Sequence, residues 1–164
     1  MSEDIVRKVN NYHFLSKFLS IGVYILILLG GYTKSIGAGL ACRDWPLCDG
    51  QLFPFDRIND LGFWAEYIHR VWAAIMGVLI VYLFFRSRQM SKIIPRLSKV
   101  SISLIILVIL QSIMGGLTVL YHLDAIIVTG HLGLGVFTFT ITLYNYSIVN
   151  EYVRRDLSKI ELAN

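Results

Sequence analysis

Two histidines, His69 and His131, lie inside segments apolar enough to cross a membrane. Each stands a few residues past the start of its segment. Both starts fall on the same side by the charge distribution below, so the two imidazoles sit at similar depth. An ionisable ring in hydrocarbon is expensive and is a functional-site hypothesis by default. A neutral imidazole is also a good metal ligand. Two of them at one depth in a small helical bundle suggest a shared metal, with haem iron as the first candidate and both axial positions filled. The competing reading is two unrelated hydrogen bonds between helices.

Other polar residues gather near this pair in sequence. Glu66 precedes His69 by three residues and Arg70 follows Glu66 by four, all within about one helical turn. One reading is an interfacial Glu66–Arg70 ion pair that anchors a helix end. The other is a carboxylate beside a cofactor that moves protons or stabilises a cation, with Arg70 facing a haem propionate. Cys42 and Cys48 bracket Arg-Asp-Trp-Pro-Leu. In an oxidising compartment they suit a disulfide, which serves as a structural staple or as a pair exchanging electrons. Their spacing is not that of a thioredoxin-like motif, and two cysteines with no adjacent histidine do not make a zinc site. His122, at the end of the third segment, reads as an interfacial histidine or a propionate contact. His13 falls on the opposite side of the membrane. Gln111 is expected to hydrogen-bond across the bundle.

The elements that carry these residues are plain in the composition. Of 164 residues, 55% are hydrophobic and 16% charged, with a mean hydropathy of +0.62. That is an integral membrane protein, not a soluble domain. A spanning helix takes about 20 mostly apolar residues, and four such stretches run over residues 14–33, 63–85, 100–121 and 125–149. The last two contain no Asp, Glu, Lys or Arg. Backbone groups in a bilayer must pair within each span. The expected fold is therefore all-α: one membrane domain over residues 1–164, a four-transmembrane-helix up-down bundle.

The net charge of +4 does not indicate nucleic acid, because the basic residues sort by side of the membrane. Arg7, Lys8 and Lys17 lie at the start, Arg86, Arg88, Lys92, Arg96 and Lys99 fill the second link, and Arg154, Arg155 and Lys159 follow the fourth span. The positive-inside rule puts both termini and the second link in the cytoplasm. The first link, residues 34–62, then faces outward. It holds both cysteines, Pro46 and Pro54, and a loop of that length is usually functional; it reads as a cap on the outer end. No cleaved leader is expected. Glycines cluster at Gly30-Gly31, at Gly115-Gly116 and around His131. Close helix approach explains them. Cleared space for a flat ligand is the alternative, with Gly135 and Thr138 one and two turns below His131 on about its face.

These motifs together resemble the haem A synthase family. The run Gly31-Tyr-Thr-Lys-Ser-Ile-Gly-Ala-Gly-Leu-Ala-Cys-Arg-Asp-Trp-Pro-Leu-Cys-Asp-Gly-Gln51 is similar to the family's first outer loop, and Glu66-Tyr-Ile-His-Arg70 to the motif opening its second span. Gly115-Gly-Leu-Thr-Val119 and Val128-Thr-Gly-His-Leu132 resemble the third and fourth spans of the same module. The resemblance runs in order from the first span through the fourth.

What the resemblance implies is an oxidoreductase of the prokaryotic cell membrane that oxidises a methyl of haem O to the formyl of haem A for terminal oxidases, with its site toward the extracytoplasmic face. It implies His69 and His131 as axial ligands of haem iron, Glu66 as the catalytic carboxylate and Cys42 and Cys48 as the paired outer cysteines. Arg70, Gly135, Thr138 and His122 are candidates for the pocket or the propionates. The implied cofactors are haem b, haem o or both. Typical members fuse two four-helix modules, and this chain resembles the half with the cysteines and glutamate. A homo-oligomer is therefore expected, alongside lipid, the haem O substrate, haem O synthase and an electron donor as partners. The rival is a bis-histidine cytochrome b that carries electrons and leaves haem O unchanged.

Overall fold

The computed structural model describes residues 3–161 of the chain. Among them are four α-helices, α1 (Glu3–Ser35), α2 (Leu61–Met90), α3 (Pro95–Leu120) and α4 (Ala125–Glu161), one 3-10 turn (Phe55–Arg57) and no strand. All four helices are long and apolar enough to cross a membrane. Each helix packs on the next in the chain, and α4 closes back on α1. The cross-section is thus a square with α2 and α4 on a diagonal. Cross-helix contacts run in reverse order along α1 and α4, from Tyr12–Asn145 through Tyr24–Phe139 to Ile27–Gly135. They do the same along α1 and α2, from Gly22–Met76 to Gly30–His69. The expected all-α up-down bundle is what forms.

Local chemistry sets the helix ends. Asp60 caps α2 by accepting from the Phe63 N–H at 3.2 Å. Pro95 opens α3 at a position that needs no N–H. The Asp124 carboxylate accepts from the N–H groups of Ile126 and Ile127 at 2.9 and 3.2 Å, leaving a short turn between α3 and α4. α1 begins well before the apolar run, because Val9 and Tyr12 are buried against the tail of α4. Tyr12 Oη donates to Asn145 Oδ1 (3.1 Å). His13 Nε2 pairs with Asn150 Oδ1 (3.0 Å) and its ring stacks on Tyr146. His13 lies roughly 25 Å along α1 from Gly30, at about 1.5 Å per residue.

Leu19, Met76, Ile80, Leu83, Leu97, Leu104 and Val149 form the core of that half. Outside it, Ile21, Leu28, Val78, Ile106, Ile113, Val136 and Phe137 are all exposed. An apolar surface of this extent is unfavourable in water at roughly 25 cal/mol per Å². Together with the four long apolar helices, it marks a multi-pass membrane protein.

Candidate haem site and its cap

His69 on α2 and His131 on α4 both turn into the bundle at the end nearest the first link. The His69 ring lies against α1: a Cβ added at Gly30 would stand 2.9 Å from its Cε1. His131 lies against α3, its Cε1 3.5 Å and its Nε2 3.8 Å from where a Gly115 Cβ would be. Gly30 and Gly115 thus let α1 and α3 approach the two imidazoles closely. Among the described residues, the Nδ1 atoms of both rings are buried and find no hydrogen-bond partner. A buried polar atom left unmet costs about 1–3 kcal/mol, and an imidazole can ligate a metal through either nitrogen. Among the described residues no group of three or more His, Cys, Asp or Glu side chains comes together. The donor set is therefore a pair, which suits the two axial positions of a haem iron and not a tetrahedral zinc cage.

Glu66 and Arg70 meet, but their ion pair has more partners than a helix-end anchor needs. Glu66 is 4% exposed. Its Oε2 accepts from the Cys42 N–H at 2.8 Å, and its Oε1 pairs with Arg70 Nη2. Arg70 Nη1 donates to the carbonyls of Asp44 (2.7 Å) and Leu47 (2.6 Å), and Nη2 also donates to that of Cys42 (3.0 Å). Arg70 is thus a clamp that gathers three carbonyls of the Cys42–Cys48 segment onto the start of α2. Such a planar fork of donors is something lysine cannot reproduce. Its terminal nitrogens are occupied within the protein.

The first link folds as a compact cap. Cys42 and Cys48 are joined in a disulfide, buried against Phe63, with Trp64 and Tyr67 packed around it. Asp49 and Gly50, at φ +52° and +75°, form the tight turn that pairs Cys48 with Gln51. Asp-Gly favours such a turn because both residues tolerate positive φ. The Asp44 carboxylate accepts from the N–H groups of Asp49 (2.6 Å) and Gly50 (2.7 Å). Those backbone donors hold its carboxyl below the ordinary aspartate range. Arg57 bridges Asp49, Asp60 and the Ala41 carbonyl, and the Arg57 guanidinium likewise lowers Asp60. Trp45 lies over Gly116, where an added Cβ would come within 3.1 Å of its ring. Leu123, in the α3–α4 turn, lies against Gly39. The Gly115-Gly116 pair thus serves two partners, one glycine facing His131 and the other the cap.

The remaining candidates have other neighbours. Thr138 is buried, and its hydroxyl donates to its own helix at Leu134 (2.8 Å). Gly135 is closed in by Gln111, whose Nε2 would lie 3.0 Å from an added Cβ, and by Ile27. His122 is exposed in the α3–α4 turn at φ +51°. Gln111 departs from its expected cross-bundle hydrogen bond: its Oε1 is buried and unpartnered. Three cap features carried no warning in the sequence: the Trp45–Gly116 contact, the aromatic bed of Phe53, Phe63, Trp64 and Tyr67, and the Arg70 clamp.

The family model of the COX15-CtaA cytochrome oxidase assembly protein matches residues 14–162. The chain belongs to this family. Among its relatives is the Heme A synthase of Shewanella oneidensis, 29% identical over 167 aligned residues that cover 92% of this chain and 50% of that protein. The Heme A synthase of Bacillus pumilus is 29% identical over 143 residues, covering 85% of this chain and 45% of its own length. That of Symbiobacterium thermophilum is 35% identical over a shorter stretch of 74 residues, 45% of this chain and 23% of the relative. The chain spans about half the length of the curated relatives it matches over most of its residues. No solved structure matches it. The resemblance read from the loop, the Glu66–Arg70 motif and the two glycine-bearing spans is borne out by family membership.

Proposed function

We propose that this chain, alone or within a larger assembly, makes haem A as its relatives are named for doing, and that it does so by oxidising a methyl substituent of haem O, stepwise through an alcohol, to the formyl group of haem A. The observation that carries the reading is the pair of imidazoles on diagonal helices, each with a buried, unpartnered Nδ1. His69 and His131 are the residues that would hold the haem iron, which supplies the oxidising chemistry when bound. Gly30 and Gly115 fix where the two rings stand. Glu66, one turn before His69, contributes a negative charge beside the site that favours positive charge developing on the substrate. Arg70 and the Cys42 N–H keep that carboxylate in place, and the cap shields the site from water.

The distribution of Lys and Arg supports cytoplasmic termini, with the cap and the site toward the extracytoplasmic face of a prokaryotic cell membrane. Haem O then enters from the lipid, with haem O synthase as the adjacent supplier and a separate electron carrier as partner. A homo-oligomer belongs to the same proposal, and native mass spectrometry of the detergent-purified protein measures it. The reaction itself is tested by extracting pigments from cells that make haem O and express this chain. Haem A is expected from the wild-type chain and loss of it from Glu66→Gln. Bound haem O left unconverted by the wild-type chain would instead identify an electron carrier.

A further inference from the structure

Gln111 is a polar side chain in the membrane interior whose amide oxygen is buried. It stands on α3 one turn deeper than Gly115, the residue against His131. Its amide lies against Gly135, one turn deeper than His131 on α4, and Ile27 of α1 closes the same spot. Ile27 is in turn three residues deeper than Gly30, the residue against His69. Three helices therefore converge on the Gln111 amide about one turn beneath the plane of the two imidazoles. Its Oε1 is buried and finds no hydrogen-bond partner among the described residues. An amide in hydrocarbon needs a partner, and apolar residues would fill this position more cheaply.

We infer that Gln111 is a specificity-determining residue that hydrogen-bonds a hydroxyl on the lipid-buried edge of the haem. The inference rests on the haem O reading above. A haem held with its propionates toward the polar cap turns its opposite edge toward the middle of the bundle, the depth of Gln111. In haem O one position on that edge bears a hydroxyalkyl group leading into the isoprenoid tail; in protohaem the same position carries a vinyl group. A hydroxyl both donates and accepts, so it satisfies the amide in either orientation of its oxygen and nitrogen. Gln111 thus distinguishes the two haems by a polar contact that the tail itself does not supply.

The test is equilibrium binding of haem O and of protohaem to the detergent-solubilised full chain, wild type against Gln111→Met and Gln111→Leu. Comparing the ratio of the two affinities cancels the contribution of the tail. Both variants should bind protohaem as the wild type does, with the same visible spectrum. Their preference for haem O should fall roughly fivefold, the worth of one ordinary hydrogen bond. Two apolar variants of different shape guard against one that packs badly. An unchanged haem O preference in variants that still bind both haems overturns the assignment of Gln111. Failure of the wild-type chain to bind either haem overturns the haem reading itself, a separate outcome.

Discussion

Replacing Gly30 with alanine separates a haem site built on His69 from a histidine that merely fills space. The new Cβ would stand 2.9 Å from the His69 Cε1, and ordinary contact begins near 3.4 Å. The ring must therefore retreat by about 0.5 Å, beyond the roughly 0.2 Å over which metal–ligand distances are usually held. The helix itself does not suffer. Alanine is favoured over glycine in a helix interior by about 1 kcal/mol, against an overpacking cost of roughly 1–3 kcal/mol. Gly115→Ala is the internal control, since its Cβ would meet His131 at 3.5 Å, an ordinary contact. Both variants should insert and purify in similar yield. Visible and electron paramagnetic resonance spectra of the purified proteins are the assay. Gly30→Ala should lose low-spin bis-imidazole character or haem content, and Gly115→Ala should keep both. Identical spectra from Gly30→Ala and the wild type, at equal haem content, would show that His69 does not ligate the haem.

Three further perturbations act on the cap. Arg70→Gln leaves Glu66 buried without its counter-ion and frees three carbonyls, so a loss of about 3–5 kcal/mol is expected; limited proteolysis within residues 36–60 and the thermal midpoint in detergent check it, and Arg70→Lys should fall between wild type and Gln. Removing the disulfide with Cys42→Ser and Cys48→Ser together should cost roughly 2 kcal/mol for so short a loop, read as a lower thermal midpoint in the same detergent. For Asp44, the folded-state value lies below the ordinary 3.8, so its contribution is complete above that value and lost as pH falls through the folded one. Trp45 fluorescence should stay constant from neutral pH down to about 4 and change below it, and Asp44→Asn should remove that step.

Much of the scaffold was legible in the residues. Apolar runs free of charge announce α3 and α4. The helices nonetheless run past the apolar stretches, because membrane thickness limits only the part in lipid. Val9, Tyr12 and Asn145 continue the packing beyond it, and hydropathy does not register that. The histidine pair was visible from depth alone. The glycines beside it were visible only as small residues, since nothing in a sequence says that Gly30 faces His69 while Gly116 faces Trp45. The Arg70 clamp was hidden for a different reason. Its acceptors are backbone carbonyls of Cys42, Asp44 and Leu47, which every residue possesses, so the side chains gave no sign of it. Gln111 is the reverse case: a polar residue at mid-membrane predicts a partner, and among the described residues none meets its Oε1.

The most direct measurement is the haem content and absorption spectrum of the protein purified from cells that make haem O, taken for the wild type, His69→Ala and His131→Ala. The wild type should carry a low-spin haem with two imidazole ligands, and each variant should lose that ligation. A colourless wild-type protein, or a low-spin spectrum unchanged in both variants, would rule out a haem held between His69 and His131.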